Sequence, residues 1–219
     1  MKRSSASSRS RSGRSSDSRA HSAGRAKNSR PQRSSKSAKV NSDWLGKFLL
    51  EMRAVETGGV QLYEKALEEL SDEKYRAQLE KFLDQTNRHL ELCDEMMEAA
   101  SIEDDHESPG AEAAQHKAQG LISAEVPEEM SDLNNFENLV LAETKDHWNW
   151  EMLNSVAEEI EDTNLKRAVK RAVREVLKQE VDHVERMKRA QTEMARLMAH
   201  KPAEEEEEIG EEEEESERL

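Results

Sequence analysis

The chain has 219 residues, 37% of them charged and 34% hydrophobic, with a formal net charge of −15. Its one cysteine, Cys93, excludes an intrachain disulfide and makes a reducing compartment, the cytoplasm, the expected location. No run of about 20 apolar residues is present to span a membrane, and the negative charge argues against general nucleic-acid affinity of the whole chain.

Composition divides the chain into three parts. Residues 1–41 are almost all Ser, Arg, Lys, Ala and Gly, with Asp17 the only acid, and residues 202–219 are mostly glutamate. Neither has the apolar surface to offset the entropy of ordering, so both are expected to be disordered tails. The basic tail lacks the apolar stretch of a signal peptide and the amphipathic face of a transit peptide. Its arginines, Arg3, Arg9, Arg11 and Arg14 among them, are suited to sequence-blind phosphate contacts, making nucleic acid a candidate partner against the plainer reading of a solvated linker. The glutamate run reads as a solubilising tail. Residues 42–201 suffice for one domain.

Within that domain the apolar pattern predicts only helices. The first opens with Asn41 or Ser42 as cap and runs to about Leu70, its inward face reading Leu45, Leu49, Met52, Glu56, Val60, Tyr63, Leu67 and Leu70. Gly58 and Gly59 cost this helix roughly 1 kcal/mol each relative to alanine, which points to close approach by another helix or to room for a ligand. A turn at Ser71–Glu73 leads into a second helix ending near Ala100, with Leu79, Phe82, Thr86, His89, Cys93 and Met96 inward. So short a link makes an antiparallel hairpin. Residues 101–130, broken by Pro109, Gly110, Gly120 and Pro127, read as a long crossover with a short helix near residues 111–118. A third helix runs from Ser131 or Asp132 to about Asp162. The fourth, capped by Thr163, runs to about His200, with Leu165, Val169, Ala172, Val176, Glu180, His183, Met187, Ala190, Met194 and Leu197 on one face. The fold class is therefore all-α: a four-helix bundle of two antiparallel hairpins joined by a long crossover.

Acids and imidazoles interrupt these apolar faces where leucine or valine belongs. Burying an ionised carboxylate without a partner costs several kcal/mol, so something must compensate Glu56, Glu143 and Glu180. A metal ion shared with His89 and His183 would do so; the plainer alternative is a buried polar network. The two hairpins also repeat each other. Glu56-Thr57 followed by Tyr63-Glu64 matches Glu143-Thr144 followed by Trp150-Glu151, and the stretch from Gln85 to Glu91 matches that from Gln179 to Glu185. From glutamate to histidine is 33 residues in one half and 40 in the other, a difference of about one helical turn on each arm.

With these motifs the chain from about Asp43 to His200 resembles the ferritin-like superfamily, nearest to the rubrerythrin and bacterioferritin type. The resemblance implies a di-iron carboxylate site in which Glu56 and His89 serve one ion, Glu143 and His183 the other, and Glu180 bridges. It implies one or two iron ions, with manganese as the alternative, oxidation of Fe(II) by O₂ or peroxide, and assembly as a homodimer or higher oligomer. Some ferritin relatives also use basic tails on DNA. The second bridging glutamate of the family falls at Thr86, a neutral and weak ligand. Three outcomes stay open: a di-metal site with solvent in the gap, a single ion near Glu143, Glu180 and His183, or a decayed site. His147, one turn beyond Glu143, is a candidate substitute ligand. The rival reading is a non-catalytic bundle whose tails bind a partner. No cysteine-rich electron-donor module is present.

Overall fold

A computed structural model describes residues 39–102 and 107–200. The basic tail up to residue 38 and the glutamate tail, with the nucleic-acid and solubilising roles expected of them, lie outside the described residues. All regular structure among the described residues is helical: α1 (Ser42–Glu68), α2 (Arg76–Ala100), α3 (Pro109–Ile122), α4 (Ser131–Val156) and α5 (Thr163–Ala199), with 3-10 turns at Glu73–Tyr75, Glu128–Met130 and Ala157–Glu159. None of the described helices is long and apolar enough to cross a membrane.

Local chemistry sets the ends. Asn41 caps α1 by accepting from the Trp44 amide, and Ser108 caps α3 through the Ala111 amide with Pro109 in the first turn. The cap of α5 is Asp162 rather than Thr163, accepting from the amides of Asn164 and Leu165. Two other boundaries differ from expectation. The third long helix stops at Val156, six residues early, because the chain tightens into a 3-10 turn before Ile160 turns extended and enters the core. The crossover helix is longer than expected, starting at Pro109 and ending at Ile122.

Each of α1, α2, α4 and α5 packs against two of the others, in the cyclic order α1, α2, α5, α4. Cross-helix pairs fix the directions. Arg53 with Asp94 and Glu56 with His89 make α2 antiparallel to α1. Glu143 with His183 and Glu158 with Lys170 make α5 antiparallel to α4. Glu69 with Asn135 and Glu56 with Trp150 make α4 antiparallel to α1. Helix α3 runs parallel to α1 along its outer side, from Gly110 beside Glu51 to the Ile122 carbonyl, which accepts from Lys65 at 2.8 Å. It thereby carries the chain from the end of α2 back to the start of α4.

Gly58 and Gly59 of α1 mark two separate close approaches. A Cβ on Gly58 would lie 2.7 Å from the Ala118 Cβ of α3, and one on Gly59 would lie 3.3 Å from the Thr86 methyl of α2. Gly58→Val is expected to prise α3 from α1 and destabilise the protein by about 1–3 kcal/mol. Gly120, whose Cβ would meet nothing within 4 Å, supplies the control. Gly120→Ala should be neutral or gain up to about 1 kcal/mol of helix propensity. Urea unfolding of both variants measures the contrast.

The apolar interior falls into two clusters. One holds Leu49, Met52, Leu92, Met96, Trp150, Leu153, Val169 and Val176; the other holds Tyr63, Leu79, Phe82, Phe136, Leu139, Met187 and Met194. Leu197, placed inward by the sequence pattern, is 58% exposed because α5 here outruns the helices that would cover it. Between the two clusters lies a polar layer.

Candidate metal centre

Helical spacing builds this layer. Glu56 sits one turn after Met52 and two turns before Tyr63 on the buried face of α1. Thr86 and His89 follow Phe82 on α2, and Glu180 and His183 follow Val176 on α5. On α4 the inward positions at this height are Glu143, Asp146 and Trp150. All these side chains are buried, His89, Glu180 and His183 completely.

Two groups of potential ligands result: Glu56, His89 and Asp146, and Glu143, Glu180 and His183, each with one ligand atom per residue within 4.8 Å of the others. Glu180 is central. Its Oε1 lies 3.1 Å from His89 Nδ1 and 3.5 Å from His183 Nδ1, and the two imidazoles sit with ring centroids 5.8 Å apart. His183 Nδ1 is 3.0 Å from Glu143 Oε2, and His89 Nδ1 is 3.8 Å from Glu56 Oε2. Donor atoms around one ion at a bond length of about 2.1 Å sit roughly 3 Å apart, so these separations suit ligation.

Several polar atoms of this layer are left unsatisfied. Glu56 Oε2, both carboxylate oxygens of Glu180, Asp146 Oδ1, His89 Nδ1 and the Tyr63 hydroxyl have no hydrogen bond among the described residues. Outward-facing atoms of the same side chains are held: Trp150 Nε1 donates to Glu56 Oε1 at 2.8 Å, leaving Oε2 as the free oxygen. Four buried carboxylates, with no buried Lys or Arg among the described residues and only Glu143 hydrogen-bonded to an imidazole, fit a bound metal ion better than a self-contained polar network. The oxygen-and-imidazole set suits iron, manganese or zinc rather than a soft thiophilic ion.

Burial and mutual repulsion shift the ionisation of these groups. Burial, then the Asp146 charge, pushes the Glu56 carboxyl well above its usual range, and burial with Asp146, Glu143 and Glu56 does the same to Glu180. Asp146 is pushed up to about 7 by burial and by Glu143. His89 is pushed down to about 4, chiefly by burial. Burial would also raise Glu143, but the hydrogen bond and charge of His183 outweigh it and hold that carboxyl below the ordinary value.

The structure thus brings together Glu56, His89, Glu143, Glu180 and His183. Thr86 is buried in the layer, its methyl against Gly59. His147 is not in the layer: its Nε2 faces Glu151 Oε1 at 3.4 Å on a partly exposed flank of α4. One turn beyond Glu143, the inward position belongs to Asp146 rather than His147, because a spacing of three rather than four matches the face that also buries Trp150. Asp146 was legible only as that spacing. It brings the buried carboxylates of the layer to four. Cys93 and Trp150 pack in the apolar cluster beside the layer, and Trp148 is 58% exposed. Compared with known proteins, the chain matches no family model, no curated protein and no solved structure.

Proposed function

We propose that the protein is a ferritin-like four-helix bundle that binds one or two divalent ions, iron foremost and manganese second, between Glu56, His89 and Asp146 on one side and Glu143, Glu180 and His183 on the other. The reaction class that suits such a centre is oxidation of Fe(II) by O₂ or peroxide, the metal supplying the redox chemistry. The reading is carried by one observation: six acid and imidazole side chains from four helices meet in a buried layer, four of them (Glu56, His89, Asp146 and Glu180) with atoms that have no hydrogen bond among the described residues.

The chain's own residues would do three things. Carboxylates supply the negative charge that draws a divalent ion into the interior, while Glu180, lying between the two imidazoles, is placed to contact both positions. Trp150 fixes the rotamer of Glu56. The two apolar clusters above and below keep bulk water from the layer. Asp146 weighs against the decayed-site alternative, since a relic would have no reason to bury a further carboxylate beside Thr86.

Metal analysis of protein produced with iron supplied and dialysed against buffer tests the reading. One to two ions per chain are expected, and a content below about 0.1 in both iron- and manganese-supplied preparations would refute it. Asp146→Ala should remove about one ion per chain, or weaken binding at least tenfold; His147→Ala should change neither.

A further inference from the structure

The crossover helix α3 packs on α1 and leaves a slot between itself and α4. The slot encloses about 580 Å³, within the roughly 300–1,000 Å³ typical of small-molecule sites. Gly58 and Gly59 lie in its floor on α1. The wall on α3 is made by Ala113, Ala114 and Ala118, where leucines at the same spacing would fill the space. The wall on α4 is Leu141 and Ala142. Polar contacts mark both ends. Beside Gly110, Lys145 Nζ donates to Glu51 Oε1 at 2.7 Å and to Asn149 Oδ1 at 2.6 Å. At the other end Asn138 Nδ2 donates to the Leu121 carbonyl at 3.2 Å.

Length and charge narrow what such a slot accepts. From Gly110 to Leu121 helix α3 rises roughly 17 Å. A staggered alkyl chain gains roughly 1.3 Å per carbon, so a chain of about ten carbons with a head group matches it. Three lining residues are charged: Glu51, Lys117 and Lys145. Glu51 and Lys145 neutralise each other, whereas Lys117 has no ion pair or hydrogen bond among the described residues. One cation is therefore left over beside an apolar wall, in a chain whose net charge is −15. That combination complements a single anionic group on an apolar body.

We propose that the slot between α3 and α4 binds a small aliphatic monocarboxylate of about ten carbons, its carboxylate paired with Lys117 and its chain laid along the alanines of α3. The slot borders the carboxylate layer, since Ala142 precedes Glu143 and Gly59 stands against the Thr86 methyl. Any part the ligand plays at a metal centre rests on the metal-binding reading above; its binding does not.

Decanoate titrated into the full-length, metal-free chain, followed by calorimetry and by the methyl spectrum of alanine-labelled protein, tests the proposal. Saturable binding below about 1 mM is expected, with shifts at the methyls of Ala113, Ala114, Ala118 and Ala142. Decyltrimethylammonium carries the same chain with the opposite charge, which the net charge of the protein favours. At these methyls it should nevertheless bind about tenfold more weakly, or worse. Lys117→Glu should weaken decanoate by about tenfold, and Lys178→Glu, at an exposed lysine on α5, should leave it unchanged. An absence of saturable shifts at those methyls, an equal response to the two head groups, or an affinity unmoved by Lys117→Glu would overturn the proposal. A dimer that Leu141→Glu dissolves would assign the slot to a second copy of the chain and overturn it as well. Decanoate binding in a chain that takes up no metal would uphold the slot and sink the metal reading; metal uptake without decanoate binding would do the reverse.

Discussion

Glu180→Gln is expected to abolish divalent-metal binding while stabilising the metal-free protein. Glu180 is wholly buried, receives no hydrogen bond at either oxygen, and stands among Glu56, Glu143 and Asp146. In the absence of a cation, each further carboxylate in that layer adds desolvation and repulsion. A neutral amide of the same shape relieves both and can donate to a neighbouring carboxylate. Removing such a charge stabilises by about 1–4 kcal/mol where the surroundings repack well. The same change removes the one acid that approaches both imidazoles, so affinity should fall at least 100-fold. Urea melts of stripped protein and a Mn(II) or Co(II) titration read the two effects. Glu185→Gln, exposed on the same helix, should move neither by more than about 0.5 kcal/mol. A polar network built for stability alone predicts the opposite sign for Glu180→Gln.

Stability of the stripped protein should fall as pH rises, and metal should reverse the trend. For a carboxyl whose folded-state pKa is raised, the native state binds more protons than the unfolded one between the two pKa values. Stability is therefore lost as pH climbs through that window. Glu56, Glu180 and Asp146, the last near 7, all act in this direction. His89, depressed to about 4, acts against them, because the unfolded chain takes up its proton first; that opposition ends near the ordinary histidine value of about 6.5. Glu143, held low, contributes stability that is lost only under acid conditions. The steepest loss is expected above about pH 6.5, where the His89 opposition has ended, with Asp146 contributing up to about pH 7. With free metal at 100 times its dissociation constant, binding adds about 2.7 kcal/mol. Because ligands must shed protons to bind, that gain grows over the same range. Thermal melts at pH 5, 6.5 and 8, with and without Mn(II), check both signs. A stripped protein more stable at pH 8 than at pH 6.5 would contradict the burial of these acids.

The helical character of the domain was legible because its apolar residues recur three and four apart with few interruptions, and because the hairpin link is too short for anything else. Glu56, Glu143, Glu180, His89 and His183 stood out because they break an apolar face at matching places in a repeat. Asp146 did not, since the equivalent place in the first hairpin is Gly59 and a lone Asp three residues from Glu143 carries no repeat partner. The choice between Asp146 and His147 depends on a rotation of the helix by less than half a turn, set by the burial of Asn149 and Trp150 and invisible to a pattern with four-residue steps. The crossover helix had a readable start in Ser108 and Pro109, but its small, mostly exposed residues give no strong apolar face. The slot beside it needs the three-dimensional placement of α3 against α4, which no spacing along one helix supplies.

On the metal-binding reading, the division of the apolar interior into two clusters bears on how the molecule responds to losing its ion. Each end is a self-sufficient plug of leucine, methionine and aromatic side chains, whereas the waist between them depends on charge compensation. Depletion should therefore loosen the middle first, with amide hydrogen exchange quickening around residues 56, 89, 143 and 180 while the two apolar clusters keep their protection. Scarcity of the ion would then register as a soft girdle in an otherwise intact body, and resupply could refill it without refolding the chain.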